Sequence, residues 1–433
     1  MYISKIRFAI KNSILVLTVK ARWKKKVEIA PCVIKNDKTK ILFYVADLAV
    51  NGITEVFISF LGVIDFDKFD VTLLCLSKMN ETNLKRMPKE IRLFTYPGFF
   101  STFWEHLLIS HASKRGFNNG GKAYDVLKRE FYRCFGETHF DYAVNFSGYS
   151  PFFAALLAQA DGAKKYIWQH NDLVQDLNNT AKILANNRRN EFAVLVGIYE
   201  CYDKIVSAGE WLMKVNSRSM TNEKIADRYT YVNNPINTKR ITKYVSDEDL
   251  AAAIQSRNVP KESNKFNFVT VGRLSPEKNH ANLIKAFGRF CRNYAESKLY
   301  IVGDGVLKSE LAELVESLGL AENVVLTGKL ADPFTIMASC DCFVFPSIYE
   351  GQGIVVLEAR MLKLAIVLAN YSTVESVSLP NGQLVVGFTE DEIYRGLVAF
   401  ANGEVPSGYE FDCEGYNREC FGRFRALFGG QTE

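Results

Sequence analysis

Two doubly wound α/β domains that face each other across a cleft are the fold that the sequence predicts. The chain has 433 residues, enough for two domains of roughly 200 residues each. From residue 40 onward, short apolar runs alternate with longer mixed segments, a pattern typical of a parallel sheet with helices on both faces. A polar stretch at 237–265 interrupts the series before a fresh apolar run begins at Phe266. The chain therefore divides into two Rossmann-like halves.

The apolar runs define the predicted strands of each half, and a helix-like stretch, Ile53–Leu61, follows the first of them. In the first half the strands are Lys40–Ala46, Asp70–Leu76, Ile91–Tyr96, Tyr142–Phe146, Tyr166–His170 and Lys204–Ser207, which closes the series. In the second half they are Phe266–Val271, Leu299–Val302, Val324–Thr327, Cys342–Phe345 and Ala365–Ala369. Ligands of such sheets bind beyond the carboxyl ends of the strands. The residues that directly follow each strand are therefore candidates for a site.

The same runs set the expected domain boundaries. Residues 1–38 are a basic N-terminal extension, 39–237 the first domain, 238–405 the second domain, and 406–433 a C-terminal helix that packs back on the first domain.

The N-terminal extension is strongly basic. Residues 1–40 hold eleven Lys or Arg and two acids, whereas the rest of the chain holds 42 bases and 46 acids. A basic arm on a mildly acidic body suggests an anionic neighbour such as a membrane surface, and a solvated extension fits equally well. The arm fits either an amphipathic helix or, as we slightly favour, a strand pair that completes the first domain. The helix would use Ile3, Ile6, Ile10, Ile14 and Leu17, and the strands would be Ile14–Val19 and Val27–Ile34.

Cysteine usage and hydropathy indicate a cytoplasmic protein. The nine cysteines are scattered, without a Cys-x-x-Cys pair or a zinc spacing, so reduced thiols are expected. No run of about 18 residues is apolar and free of charge, so no membrane span is expected. A signal peptide is not expected either. The basic arm leaves open a peripheral position on the inner face of the cell membrane. The mildly acidic body argues against nucleic acid as a partner.

The loop after the predicted strand Phe266–Val271 carries a candidate anion site. Gly272 lets the backbone approach a ligand closely, and Arg273 and Lys278 place two cations before a helix predicted from His280. The free N–H groups and the dipole of a helix N-terminus favour an anion. Arg can also grip phosphate oxygens in a forked geometry. A diphosphate fits such a site, and a solvated surface loop is the alternative.

The segment after the predicted strand Cys342–Phe345 carries two acids, Glu350 and Glu358, eight residues apart. The spacing places Glu358 about two helical turns beyond Glu350, near the same face. Gly351 and Gly353 leave the loop free of side chains, so that backbone amides can face a ligand. One carboxylate can accept hydrogen bonds from ribose hydroxyls, while the other contacts a sugar or supports positive charge at an anomeric carbon. Apolar neighbours predict a largely buried helix around Glu358, and a buried acid needs a partner.

Three linked motifs carry a resemblance to a known family. The Glu350-x7-Glu358 pair, the Gly272-Arg273-x4-Lys278 loop and the Gly303-Asp304-Gly305 turn resemble, in order and separation, the donor domain of retaining glycosyltransferase family four. The resemblance is strong over 266–400 and thinner before it. It implies a GT-B fold, with an acceptor-binding first domain and a nucleotide-sugar-binding second domain.

The resemblance also implies roles for individual residues. Arg273 and Lys278 would bind the donor diphosphate and stabilise the departing nucleotide. Glu358 would bind the ribose, and Glu350 would lie beside the transferred sugar. His170 resembles the family's cleft histidine. Alone it reads more readily as an ordinary polar turn residue, and its place at a strand end beside Asn171 and Asp172 makes the two readings even. The catalytic set is then Glu350, His170, Arg273 and Lys278, and the donor-binding set is Gly52, Gly272, Arg273, Lys278, Gly303, Gly305, Glu350, Gly351, Gln352, Gly353, Ile354 and Glu358.

The implied reaction is front-face displacement without a protein nucleophile and without a metal. The donor would be a nucleotide sugar, UDP-linked, and the acceptor a glycan, a polyol phosphate or a lipid-linked hydroxyl. Gln352 departs from the aromatic residue that often stands between the two glycines, and the Glu-Gly-Gln form resembles a subgroup acting on teichoic-acid-like or capsular polymers. The basic segment Trp104–Arg133 could meet a phosphate-bearing acceptor, or it could be a solvated helix face.

Three other functions fit the same residues less well. A sugar-nucleotide epimerase has a similar two-domain frame but needs a proton-transfer constellation that the motifs lack. A non-catalytic partner subunit of a transferase complex has no use for the complete set of Arg273, Lys278, Glu350 and Glu358. A dinucleotide dehydrogenase would show a Gly-x-Gly-x-x-Gly fingerprint after its first strand, and none occurs.

Overall fold

The computed structural model describes residues 37–49, 51–76, 81–96, 122–175, 194–244, 266–407 and 410–430. Both predictions for the N-terminal arm lie outside these residues, as does the part of the basic segment before residue 122.

The first domain is built on a seven-stranded parallel sheet. Its strands run in the order β3-β2-β1-β4-β5-β6-β7. They are β1 Thr39–Val45, β2 Phe69–Cys75, β3 Arg92–Thr95, β4 Tyr142–Asn145, β5 Lys164–Gln169, β6 Lys204–Ser207 and β7 Tyr229–Tyr231. The helices are α1 Gly52–Leu61, α2 Glu81–Arg86, α3 Lys122–Phe135, α4 Pro151–Leu157 and α5 Glu210–Ser219.

The second domain repeats this plan with six parallel strands. Their order is β10-β9-β8-β11-β12-β13. They are β8 Asn267–Val271, β9 Lys298–Val302, β10 Val324–Gly328, β11 Cys342–Phe345, β12 Ala365–Ala369 and β13 Leu384–Val386. The remaining helices are α6 Thr238–Ile241, α7 His280–Cys291, α8 Lys308–Ser317, α9 Phe334–Ala338, α10 Ile354–Met361, α11 Glu390–Ala401 and α12 Cys413–Ala426.

The strand orders fix where a ligand can bind. In each sheet the winding direction reverses at the central pair of strands, β1 with β4 and β8 with β11. A crevice forms beyond the carboxyl ends of the strands at such a reversal. The central strands β4, β11 and β12 are buried along their whole length, which is why they appear in the sequence as continuous apolar runs.

The prediction that Lys204–Ser207 closes the first sheet was wrong. Strand β7 extends that sheet, and β13 extends the second sheet in the same way. Both are three-residue edge strands that are only partly buried. A strand of three residues is too short to leave the long apolar run that marks a central strand.

Helix α12 links the cores of both domains. Near its start, Cys413 packs into the core of the second domain. Towards its end, Phe424 stacks on Phe60 of α1, with ring centroids 4.3 Å apart, and lies in a core cluster of the first domain. The Tyr166 hydroxyl of β5 donates a hydrogen bond to the Leu427 carbonyl oxygen at 2.8 Å. The end of α12 is therefore part of the first domain's core.

We expect Phe424→Ala to lower the free energy of unfolding by about 3–5 kcal/mol, since it removes a buried aromatic ring and leaves a cavity. Arg418→Ala, on the exposed side of the same helix, should change it by less than about 0.5 kcal/mol. Urea unfolding monitored by circular dichroism measures both. Equal effects of the two substitutions would show that α12 does not stabilise the first domain.

Candidate functional site

The loops that follow β8 and β9 pack backbone against backbone. A Cβ atom on Gly303, whose φ is +154°, would lie 1.8 Å from the Gly272 carbonyl oxygen. A Cβ atom on Gly305 would lie 2.4 Å from the Leu274 carbonyl oxygen. The Leu274 N–H donates to the Asp304 carbonyl oxygen at 3.0 Å. The structure thus brings together these three glycines of the predicted donor-binding set, and their lack of side chains is what permits the approach.

Lys278 joins this region to the loop after β11. It lies in a short turn, Pro276–Lys278, directly before α7, and its Nζ forms an ion pair with the Glu350 carboxylate. The ammonium group also lies 5.4 Å from the centroid of the Phe345 ring, within range of a cation–π interaction. Both partners are largely buried, with 17% and 12% of the side chains exposed. Arg273 lies on the same loop as Gly272 and is exposed.

The loop after β11, residues 346–353, is held at both sides by the second domain, and we call it the β11 loop. The Ile348 N–H donates to the Glu277 carbonyl oxygen at 2.8 Å. The Thr373 hydroxyl donates to the Glu350 carbonyl oxygen at 3.1 Å. These bonds fix the backbone on which the Glu350 side chain is mounted.

The β11 loop also touches the first domain. A Cβ atom on Gly351 would lie 1.8 Å from the His170 carbonyl oxygen, so only glycine allows this approach. Close by, the Ser372 hydroxyl donates to the buried Asp172 carboxylate at 2.6 Å. The predicted site residues Gly351 and His170 therefore meet across the domain boundary.

Gly353 and Ile354 begin helix α10. Gly353 has a φ of +84°, and a Cβ atom there would lie 2.8 Å from the Tyr371 hydroxyl oxygen, so its place too requires glycine. Ile354 packs against a core cluster of the first domain. Gly52 is the first residue of α1, where an added Cβ atom would meet nothing within 4 Å.

His170 directly follows β5, and its imidazole is buried and neutral. Its Nε2 donates a hydrogen bond to the Phe146 carbonyl oxygen at 2.6 Å. Burial lowers the pKa of His170 to about 4, although that hydrogen bond opposes the shift. Because Nε2 carries the proton, Nδ1 is the acceptor nitrogen at neutral pH.

Glu358 of helix α10 lies near charged groups of both domains. Burial raises its pKa from the ordinary 4.5 to about 7, the nearby Arg240 guanidinium opposes this rise, and the Glu55 carboxylate adds to it. Arg86 grips Glu55 in a forked pair, with distances of 2.6 and 2.7 Å. Arg240 lies 3.4 Å from the same carboxylate and donates to the Ala331 carbonyl oxygen at 2.7 Å. Glu358 therefore lies beside an ionic bridge between the domains.

Gln352 is buried, with 3% of the residue exposed, and its side-chain oxygen accepts a hydrogen bond from the Asn234 N–H at 2.9 Å. Sequence reasoning placed Gln352 with the donor, named Asp172 only as a neighbour of His170, and did not single out Arg240 or Ser372. No local pattern could reveal these contacts, since Asp172 and Ser372, for example, are 200 residues apart.

Two basic residues of α3 form ion pairs within the first domain. Lys128 pairs with Asp161 at 2.9 Å, and Arg133 pairs with the buried Glu130.

Within the described ranges, no helix is long and apolar enough to cross a membrane. No group of three or more His, Cys, Asp or Glu side chains in that part of the chain could hold a metal ion.

The second domain coincides with the part of the chain that matches a known family. Residues 240–397 match the glycosyl transferases group 1 family. We call this matched segment the group 1 domain. The group 1 domain contains both the glycine-rich loops and the pair of Lys278 and Glu350 described above.

The matches to two curated relatives each cover a minor part of both proteins. The chain is 36% identical over 132 residues, 30% of this chain and 35% of the relative, to the N-acetylgalactosamine-N,N'-diacetylbacillosaminyl-diphospho-undecaprenol 4-alpha-N-acetylgalactosaminyltransferase of Campylobacter jejuni. It is 28% identical over 194 residues, 45% of this chain and 25% of the relative, to the poly(glycerol-phosphate) alpha-glucosyltransferase of Bacillus subtilis. In both cases the chain spans well under half of the relative's length.

The fold is similar to solved structures over nearly the whole chain. HepE from Anabaena, in complex with UDP and glucose, superposes with a TM-score of 0.62 at 16% identity, covering 90% of this chain and 100% of that one. The likeness shows the fold alone, and it confirms the GT-B architecture of two facing Rossmann-like domains.

In the group 1 domain, Glu358 should make stability depend on pH. A carboxyl group whose pKa is raised in the folded state stabilises the fold. This contribution is fully present below 4.5, the pKa of the group in the unfolded chain, and is lost as pH rises through about 7. Relative to the wild type, Glu358→Gln should therefore gain about 3 kcal/mol of stability between pH 4.5 and 8. Glu375→Gln, at an exposed acid of the same domain, should show no such gain. Urea unfolding at a series of pH values measures the difference, and parallel curves for the two variants would contradict the raised pKa.

Proposed function

We propose that this protein is a retaining glycosyltransferase that moves a hexose or N-acetylhexosamine from a nucleotide-diphosphate sugar to an acceptor hydroxyl. The observation that carries the proposal is the ion pair of Lys278 and Glu350 next to the contact of Gly351 with His170. A cation and a carboxylate of the group 1 domain thereby lie against the first domain. This junction is at the carboxyl ends of both sheets, the edge at which α/β folds bind nucleotides.

The proposed diphosphate site consists of Lys278, Arg273 and the start of α7. Lys278 is held by Glu350, which fixes its ammonium group in the cleft. Arg273 is exposed on the neighbouring loop and offers a fork of N–H donors to phosphate oxygens. Asn279 precedes α7 without a side-chain capping bond, so the helix N-terminus keeps free N–H groups for an anion. Together these groups would stabilise the negative charge on the departing nucleotide.

The proposed ribose site is Glu358. Among the described residues, no donor forms a hydrogen bond with its carboxylate, so both oxygens can accept bonds from ribose hydroxyls. Because the pKa of Glu358 is raised to about 7, the charged form that accepts best gains population as pH rises through neutrality. The affinity for the nucleotide-sugar donor should therefore rise as pH increases through neutrality.

The proposed chemical step is a displacement on one face of the sugar. The bond from the anomeric carbon to the diphosphate oxygen breaks, and a bond to the acceptor oxygen forms on the same face. The proton of the acceptor hydroxyl passes to the departing diphosphate, so the protein supplies neither nucleophile nor base. His170 is neutral above its pKa of about 4, and its Nδ1 accepts a hydrogen bond from a hydroxyl of the sugar. We propose that no metal takes part.

The proposed acceptor is a hydroxyl of a cell-surface glycan, a polyol-phosphate polymer or a lipid-linked sugar. The two curated relatives support this range, since one is named for poly(glycerol-phosphate) and the other for a diphospho-undecaprenol sugar. Both acceptors carry phosphate, and the basic arm at residues 1–40 would favour an anionic acceptor or membrane surface. We propose a peripheral position on the inner face of the cell membrane for the same reason.

The test is turnover of a panel of UDP-sugars, first without acceptor and then with glycerol-phosphate oligomers or a polyprenyl-diphosphate sugar. We expect one donor to be turned over with EDTA present, and proton NMR of the product to show the donor's anomeric configuration. Lys278→Ala and Glu358→Ala should each lower kcat/KM by roughly 10²–10³-fold, the usual cost of removing one charge-stabilising group.

The matched control is Lys285→Ala, which removes an exposed lysine from helix α7. Its kcat/KM should stay within twofold of the wild type, which is about the effect of 0.4 kcal/mol. If no UDP-sugar binds and all three variants behave alike, a non-catalytic partner subunit replaces the proposal. If the donor sugar is returned with an inverted hydroxyl and no acceptor product forms, an epimerase replaces it.

A further inference from the structure

Three residues from distant parts of the chain form a closed cycle of hydrogen bonds. The Asn234 N–H donates to the Gln352 side-chain oxygen at 2.9 Å. The Gln352 side-chain nitrogen donates to the Tyr416 hydroxyl oxygen at 2.5 Å. The Tyr416 hydroxyl in turn donates to the Asn234 carbonyl oxygen at 2.9 Å. We call this set, Asn234, Gln352 and Tyr416, the hinge cycle.

The hinge cycle lies where the chain passes from one domain to the other. Val232 packs into the first domain's core, and Ile236 packs into the second domain's core. Asn234 is midway between them. Next to Tyr416, the Asn417 side chain donates to the Ile236 carbonyl oxygen at 2.9 Å and accepts from the Ile236 N–H at 2.8 Å. Helix α12 therefore holds the crossing segment at two consecutive residues.

Each bond of the cycle depends on the other two. A hydroxyl has a single proton, and Tyr416 gives it to Asn234, so its oxygen is left to accept from Gln352. Burial raises the pKa of the Tyr416 hydroxyl well above its ordinary value, so the proton stays on. Gln352 and Asn234 are buried, which makes an unpaired amide there costly. The cycle is thus satisfied as a unit or lost as a unit.

Gln352 connects this cycle to the candidate active site. It directly follows Gly351, whose backbone lies against the His170 carbonyl oxygen, and Gly351 follows Glu350, the partner of Lys278. Both polar ends of the Gln352 side chain are used within the hinge cycle. A displacement of the segment that crosses between the domains therefore moves Gln352 and, two residues before it in the chain, Glu350.

We infer that Gln352 is a positioning residue: through the hinge cycle it sets the β11 loop against the first domain, so that closing the domains and placing Glu350 are one event. The catalytic part of this inference rests on the proposed function. The inference assigns Gln352 no contact with the donor. It explains why a polar residue stands between two glycines, since its amide bonds both Asn234 and Tyr416.

The experiment compares Gln352→Leu, Tyr416→Phe and the double variant with the wild type. Tyr416→Phe removes a single oxygen and keeps the aromatic packing. The control, Tyr394→Phe, removes a hydroxyl from α11, outside the cycle. Three quantities are measured: kcat for sugar transfer, the Kd of UDP alone by calorimetry, and the radius of gyration from small-angle X-ray scattering.

We expect each single variant to lower kcat about tenfold, as loss of a buried hydrogen bond does, with the Kd of UDP unchanged. The double variant should be no worse than the worse single variant, because all three act on the same cycle. Both single variants should have a larger radius of gyration than the wild type and Tyr394→Phe.

Two results would overturn the inference. If Gln352→Leu weakens UDP binding in proportion to its loss of kcat while Tyr416→Phe does not, Gln352 contacts the donor directly. If both variants match Tyr394→Phe in kcat and in radius, the cycle positions nothing. Should the wild type turn over no nucleotide sugar, the proposed function fails, and the scattering comparison alone decides whether the cycle controls domain closure.

Discussion

The backbone of Gly351 lies so close to the His170 carbonyl oxygen that no side chain fits between them. This contact determines how the two domains can face each other. On one side of Gly351, Glu350 holds the ammonium group of Lys278, and on the other side Gln352 is buried at the domain crossing. A movement of either domain must therefore displace both the ion pair of Lys278 with Glu350 and the buried amide of Gln352. Position 351 requires glycine because a side chain would not fit. The backbone conformation of Gly351 is not the reason, since its φ is not positive and other residues adopt such angles.

The pKa of each carboxyl group in the cleft depends on whether cationic side chains pair with it. Glu55 is held by two guanidinium groups, those of Arg86 and Arg240, and its pKa is lowered despite burial. Glu358 lies nearby without such a pair, and burial raises its pKa to about 7. Two carboxylates in one cleft thus differ in protonation because one is bonded and the other is only desolvated. A strongly bonded acid suits a structural bridge, whereas an acid poised near neutrality suits a group that waits for a ligand's hydroxyls.

The sequence predicted well whatever depends on residues close together along the chain. The strands Cys342–Phe345 and Ala365–Ala369 are fully buried and appear as plain apolar runs, and helix α7 begins at His280 as its loop motif indicates. The half-buried edge strands β7 and β13 left no such signal. The environment of Gln352 could not be predicted either, since its partner Asn234 is 118 residues away. Motifs at strand ends report which residues line a cleft, but contacts between domains decide what each side chain does there.

Helix α12 has a consequence for how the protein is made. The last aromatic residues of the first domain's core, Phe424 and Phe428, are encoded after the whole second domain. On the ribosome, domains generally fold as units from the N-terminus onward. Here the first domain must wait with an apolar groove exposed over Phe60 and Phe43 until α12 has emerged. The two domains therefore complete their folding together. A chaperone would find the largest exposed apolar surface after the first domain has been synthesised and before α12 has emerged.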